Sequence, residues 1–205
     1  MNGAVPLVYV VDDDAAVRDA LSMLLAGAGF EVVACENGDA FLGRYDPARP
    51  CCLLLDVCMP GTGGLELQSH LAGHECPPPI IFLTGHADVP TAVTALKQGA
   101  VDFFEKPLSD HDGLIRRVEE AIAQHRRRLD EEGRRAAARA RLEQLTPRER
   151  EVFDRICAGQ PNKVVAIELG ISERTVELHR SRLMRKLNVR SVAELVRMRT
   201  AGDEP

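Results

Sequence analysis

The chain has 205 residues, 45% hydrophobic and 28% charged, and its 26 Lys/Arg against 31 Asp/Glu give a net charge of −5. This is the composition of an ordinary globular chain of one or two domains, not of a wholly disordered one. The total hides an asymmetry: residues 1–112 carry 5 Lys/Arg and 16 Asp/Glu, a net −11, whereas residues 113–205 carry 21 and 15, a net +6.

From Leu7 to Leu108 short apolar runs alternate with longer mixed segments. Leu7–Val11, Glu31–Cys35, Cys51–Leu55, Ile80–Leu83 and Val101–Phe104 have strand length; Val17–Ala28, Asp39–Arg44, Gly64–Ala72 and Pro90–Gln98 have helical spacing. With Asp112–His125 as a fifth helix the pattern makes five βα units and predicts a parallel sheet covered by helices on both faces. Ligands of such sheets bind at the carboxyl ends of the strands. Asp12 and Asp13 follow the first run, Asp56 the third, Thr84 the fourth and Lys106 the fifth, so one cleft can hold them all. Three carboxylates in VYVVDDD, directly after a buried run, repel one another and are costly without a positive partner, which predicts a cation among them. Asp14 is read as the N-cap of the helix that follows.

Residues 113–145, rich in Ala, Glu, Leu and Arg and without proline, predict a long helix. Ile115, Val118, Ile122, His125 and Leu129 recur at spacings of three and four, which suits either a coiled-coil seam of a dimer or a face docked on the sheet. Gly133 weakens this helix by about 1 kcal/mol relative to Ala and is a candidate hinge. Four helical patterns follow. Thr146 caps the first, with Pro147 at its first position; NKVVAIELG and SERTVELHRSRLMRKL are separated by Gly170-Ile171, and Ser191 caps the last. Two short helices joined by a Gly-containing turn read as helix-turn-helix. The basic half of the chain then suits DNA, and the acidic half a divalent metal. Six cysteines show no CxxC and no Cys/His spacing for zinc, so reduced thiols acting as small apolar residues are expected. No apolar run reaches the roughly 18 residues of a membrane span, and the N-terminus lacks a secretory leader pattern, so a cytoplasmic protein with no membrane partner is expected.

Four ordered motifs, VYVVDDD, LLLDVCMPGTGGLEL, FLTGHADV and GAVDFFEKPL, make residues 7–125 resemble the receiver domain of two-component response regulators. LTPREREVF and the helix-turn-helix make residues 142–200 resemble a LuxR-type DNA-binding domain. Together they resemble the NarL/FixJ class, the FixJ branch in particular. The fold expected is α/β: a five-stranded parallel doubly wound, flavodoxin-like receiver (1–125), a helical linker (126–141) and a four-helix all-α helix-turn-helix domain (142–205).

The resemblance implies that Asp56 accepts a phosphoryl group from a sensor histidine kinase, with Asp12, Asp13, Asp56 and the Val57 or Cys58 backbone carbonyl holding Mg²⁺. It implies that Thr84 and Lys106 engage the phosphoryl oxygens, that Phe103 turns inward with Thr84 as a switch, and that Pro107 follows a cis peptide. Plain core packing is the other reading of Phe103. In the second half Val176, Leu183 and Leu187 are spaced to face inward, and Arg174, Glu177, Leu178, Ser181 and Arg185 outward. By resemblance Glu177, Leu178 and Ser181 approach base edges, and Asn162, Lys163, Arg174, Thr175, His179 and Arg182 lie near phosphates. His179 is equally readable as a packed histidine. The partners implied are promoter DNA, RNA polymerase and a second copy of the chain, paired on phosphorylation through Pro90–Gln98 and Val101–Phe104. A metal-dependent hydrolase needs a second aspartate placed as general acid beside its nucleophile; Val57-Cys58-Met59-Pro60 supplies none, so a switch and not an enzyme is expected.

Overall fold

The structure, a computed structural model, describes residues 5–85 and 89–203, so His86, Ala87 and Asp88 of the FLTGHADV motif lie outside it. Contacts divide the chain into two compact units, Met1–Asp130 and Glu131–Pro205. The first unit alternates β1 (Leu7–Val11), α1 (Ala15–Gly27), β2 (Glu31–Cys35), α2 (Gly38–Leu42), β3 (Cys51–Asp56), α3 (Gly64–Leu71), β4 (Ile80–Thr84), α4 (Val89–Lys97) and β5 (Asp102–Glu105). Helix α5 (His111–Glu143) follows and is continuous through Gly133.

All strand pairs are parallel, in the order β2-β1-β3-β4-β5. The central strands read as unbroken apolar runs because both faces of the sheet are covered. Alternate residues feed separate cores. Leu7, Tyr9, Val11, Leu53, Leu55 and Phe82 meet Phe41 of α2, Leu67 and Leu71 of α3 and Ala95 of α4. Val8, Val10, Leu54, Ile81 and Leu83 meet Leu21 and Leu25 of α1 and Leu114, Val118, Ala121 and Ile122 of α5. Each fully buried side chain of this size stabilises by about 1.5–3 kcal/mol. The spaced set on α5 is therefore a docking face: Val118, Ile122 and His125 are buried against the sheet, and Ile115 packs at its edge. His125 is held by more than packing, since its Nδ1 lies 3.2 Å from the Cys51 amide nitrogen and 3.1 Å from the Cys51 carbonyl oxygen.

The second unit holds α6 (Pro147–Cys157), α7 (Asn162–Leu169), α8 (Glu173–Lys186) and α9 (Val192–Asp203) around Leu142, Val152, Phe153, Ile156, Val165, Val176, Leu183, Leu187 and Leu195. Thr146 and Glu149 form a reciprocal capping box: the Glu149 N–H donates to Thr146 Oγ1 at 3.3 Å, and the Thr146 N–H to Glu149 Oε2 at 2.9 Å. The α7–α8 turn needs Gly170, whose φ of 64° places it in the left-handed region. Ser172 then caps α8, accepting the Thr175 N–H at 3.1 Å.

Candidate functional site

The strands carry their polar residues to one edge of the sheet. Asp56 and Thr84 are the last residues of β3 and β4, Asp12 and Asp13 follow β1, and Lys106 follows β5. Asp12 (1% exposed), Asp56 (7%) and Thr84 (1%) are buried, whereas Asp13 is open to solvent. Carboxylate oxygens of Asp12, Asp13 and Asp56 lie within 4.8 Å of one another. Lys106 Nζ lies 2.5 Å from Asp12 Oδ2 and 3.2 Å from Asp56 Oδ2, so the positive partner that the acids require is already supplied in part by the chain itself. Asp12 Oδ1 accepts the Asp14 N–H at 3.0 Å, and Asp14 caps α1 by accepting the Ala16 N–H at 2.8 Å.

Burial raises the Asp56 carboxyl above its ordinary pKa, and the charge of Asp12 adds to this; Lys106 offsets part of the shift. For Lys106 burial acts downward, but the hydrogen bond to Asp12 and the two carboxylate charges outweigh it and hold the ammonium above its usual range. The peptide before Pro107 is cis. The Lys106 N–H donates to the Thr84 carbonyl at 2.7 Å, which links the ends of β4 and β5.

Phe103 is half-buried and packs on the α2–α4 side of the sheet, while Phe104 packs on the other. The Cys58 N–H donates to Asp56 Oδ1 at 3.4 Å. Cys58 is exposed, unlike Cys35, Cys51 and Cys52, which behave as the small buried groups expected of them; burial pushes the Cys51 thiol up to about 12.

The inward positions Val176 and Leu183 on α8, and Leu187 just past its end, are buried. Arg174, Glu177, Leu178, Ser181, Arg182 and Arg185 are exposed, and Thr175 and His179 half-buried. Lys163 on α7 is exposed as well. Two further basic residues of α8 serve internal contacts. Arg180 Nη1 donates to Asn162 Oδ1 at 3.3 Å, and Lys186 Nζ to Glu149 Oε2 at 3.0 Å. Both tie α8 to the helices behind it. His179 Nδ1 is buried with no hydrogen-bond partner among the described residues.

Residues 8–119 match the family model of the response regulator receiver domain, and residues 143–199 that of the bacterial regulatory proteins of the luxR family. The chain belongs to the response regulators of the FixJ type. This response regulator is 44% identical over 191 residues to the transcriptional regulatory protein FixJ of Bradyrhizobium diazoefficiens, covering 93% of each chain. It is also 44% identical over 193 residues to the C4-dicarboxylate transport transcriptional regulatory protein DctR of Rhodobacter capsulatus, covering 93% of this chain and 98% of that one. Among solved structures it is similar to the response regulator StyR, with a TM-score of 0.86 at 40% identity over 96% of this chain and 99% of that one. Full-length FixJ from B. japonicum gives a TM-score of 0.56 at 42% identity, over 95% and 96%. The response regulator thus pairs an α/β receiver with a LuxR-type helix-turn-helix domain, the architecture of FixJ-like transcription regulators.

Its acid pocket suits a small hard cation. Three carboxylates offer oxygen donors at one point: Asp56 buried at the end of β3, Asp12 buried just past β1, and Asp13 facing water, as Mg²⁺ coordination with retained waters requires. Arg18 is a neighbour of this pocket that no sequence motif marks: its Nη1 donates to the Asp12 carbonyl at 2.7 Å and the Asp13 carbonyl at 3.0 Å.

Proposed function

We propose that this response regulator is a phosphorylation-activated transcription factor, with residues 1–125 as receiver, 126–141 as linker and 142–205 as DNA-binding domain. An Asp56 carboxylate oxygen attacks the phosphorus of a phosphohistidine on a sensor kinase. The P–O bond forms as the P–N bond breaks, and the electron pair stays on the imidazole nitrogen, which takes up a proton. Catalysis is positioning and charge neutralisation. Asp12, Asp13, Asp56 and the Cys58 carbonyl would hold Mg²⁺; the Val57 carbonyl already accepts the Gly64 N–H at 3.1 Å, which favours Cys58. The ion supplies neutralisation of the phosphoryl oxygens when bound.

Phosphorylation adds roughly −1.5 to −2 charges and three acceptor oxygens. Lys106, which Asp12 and Asp56 share in the unmodified state, would follow the new charge, and Thr84 would offer its hydroxyl to a phosphoryl oxygen. Phe103 would turn with Thr84. Val93 and Leu96 on α4, exposed by 42% and 47%, would then meet a second copy of the chain. Dimers put two α8 helices on adjacent half-sites of promoter DNA, so that two weak contacts act together. Glu177, Leu178 and Ser181 would read bases, and Asn162, Lys163, Arg174, Thr175, His179 and Arg182 would contact or line the phosphates. Recruitment of RNA polymerase is the expected output, in the cytoplasm.

The observation that carries this reading is the meeting of Asp12, Asp13 and Asp56 with Lys106 bridging two of them. Acetyl phosphate with Mg²⁺ should add the mass of one phosphoryl group, and Asp56→Asn should abolish the gain. No gain in the native chain refutes the switch and leaves a constitutive DNA-binding regulator whose receiver serves protein contacts.

A further inference from the structure

We propose that Arg18 is a positioning residue for the acid pocket: it holds the β1–α1 corner so that Asp12 and Asp13 meet a divalent cation together. The inference rests on the reading of Asp12, Asp13 and Asp56 as the Mg²⁺ and phosphoryl site. The ladder of β1 ends at Val11, paired with Cys35 on one side and Leu55 on the other. The Asp12 N–H still reaches the Cys35 carbonyl at 3.2 Å. Past that point the carbonyls of Asp12 and Asp13 turn away from the ladder, and a single nitrogen, Arg18 Nη1, donates to both. The Arg18 N–H in turn donates to the Asp14 carbonyl at 3.1 Å. One side chain thus fastens two successive residues of the corner to the first turns of α1, and the backbone of the same residue holds the third.

The two acids depend on this fastening unequally. The Asp12 carboxylate is fixed at both oxygens, by the Asp14 N–H and by Lys106. The Asp13 carboxylate is exposed, and its place beside the others follows from the backbone that Arg18 holds. Arg18 also brings a positive charge toward a pocket meant for a dication, which opposes binding. Geometry outweighs charge here because Mg²⁺ demands near-octahedral oxygens at fixed distance, and a corner free to move must be ordered before it can bind. The two effects predict opposite signs on substitution. Arg18→Met keeps the apolar stem and removes donors and charge: loss of positioning weakens Mg²⁺ binding, whereas loss of charge alone tightens it. Arg18→Lys keeps the charge and one nitrogen able to bridge both carbonyls.

The test uses the full unphosphorylated chain. The rise of the receiver melting temperature with Mg²⁺ concentration gives an apparent dissociation constant without any phosphotransfer. Arg18→Met should raise that constant at least threefold and Arg18→Lys should restore it to within twofold. With acetyl phosphate, the Met variant should lose more rate at limiting than at saturating Mg²⁺. Should Arg18→Met unfold too readily to titrate, Arg18→Gln, a shorter donor without charge, takes its place with the same expectation. An unchanged or lowered constant in the Met or Gln variant overturns the role of Arg18 alone. A wild-type chain whose melting ignores Mg²⁺ overturns the site reading and the inference together.

Discussion

Asp56→Asn should stabilise the receiver without metal and blunt the stabilisation that metal brings. In the native chain Asp56 is buried, within 4.8 Å of Asp12 by carboxylate oxygens and 3.2 Å from Lys106 Nζ. At an effective dielectric constant of about 20 the Asp12 charge repels it by at least about 3.5 kcal/mol and Lys106 attracts it by about 5 kcal/mol. Burial adds a cost that turns the balance, and the net direction is a raised pKa. A carboxyl whose folded pKa lies above its unfolded value favours folding below the unfolded pKa. That contribution is lost as pH rises through the folded pKa, so at pH 7 the charge is a net cost. An amide of the same shape removes the desolvation and the repulsion, keeps a hydrogen-bond acceptor for Lys106, and leaves Lys106 paired with Asp12. The gain is on the order of 1 kcal/mol, or about 2–4 °C in the receiver transition.

Mg²⁺ should reverse the order. At a concentration a hundred times its dissociation constant, a ligand bound only by the folded state stabilises by about 2.7 kcal/mol. The native triad should collect this and the Asn variant much less. With no Trp and two Tyr in the chain, circular dichroism is the suitable probe. Melting curves in EDTA should place Asp56→Asn above the native chain, and curves in excess Mg²⁺ should place it below. An Asn variant that melts lower in EDTA, or an equal Mg²⁺ shift in both proteins, would refute the electrostatic account of the pocket.

Four further outcomes follow from the same geometry. A Cβ at Gly64 would stand 2.2 Å from the Asp56 carbonyl oxygen and 3.1 Å from the Phe82 ring, so Gly64→Ala should cost the receiver about 1–3 kcal/mol in urea denaturation. His125 is buried and its pKa lowered by that burial. Its contribution is present above the unfolded pKa and lost as pH falls through the folded one, so His125→Gln should flatten the fall of receiver stability below about pH 6.5. Glu149→Ala removes the capping box and the partner of Lys186, and should lower the stability of the DNA-binding unit by about 1–2 kcal/mol, read from its thermal transition. On duplex DNA, Arg182→Ala should weaken binding to all sequences and lower the salt slope by about 1, whereas Glu177→Ala should relax sequence preference and leave the slope unchanged; equal effects on both quantities would undo the division of roles.

The sheet was legible in the sequence because its strands are buried on both faces. Leu7–Val11 and Glu31–Cys35 keep their predicted bounds, and the order of βα units predicts the parallel topology. The departures fall at strand ends. β3 and β4 run one residue further than their apolar runs, to Asp56 and Thr84, because the ladder pairs Asp56 with Leu83 and Thr84 with Glu105 regardless of polarity. Hydrophobic pattern stops where the edge of the sheet begins, and that edge is where the candidate site sits. At β5 the predicted Val101–Phe104 shifts to Asp102–Glu105; as the outermost strand it is only half-buried and its pattern is weak. On α5 periodicity alone left a dimer seam and a docking face equally open, since both require the same spacing; the sheet against Val118 and Ile122 decides for docking over that stretch.

The charges gathered at the sheet edge were legible, and those spent on backbone or on contacts between helices were not. The acids and Lys106 announce themselves as charges placed after apolar runs. Arg18 stands on a helix whose neighbours Asp14 and Asp19 make it look like any solvated position, and only the path of the chain after β1 shows that its nitrogen closes two stray carbonyls. Arg180 and Lys186 show the converse. Counted by composition they join the basic face of α8, yet their bonds to Asn162 and Glu149 direct them to the helices behind. A basic helix therefore presents fewer charges to a polyanion than its sequence suggests. Of the five basic side chains on α8, Arg174, Arg182 and Arg185 remain exposed without such a tie among the described residues, which bounds the number of phosphates that this helix alone can neutralise at about three.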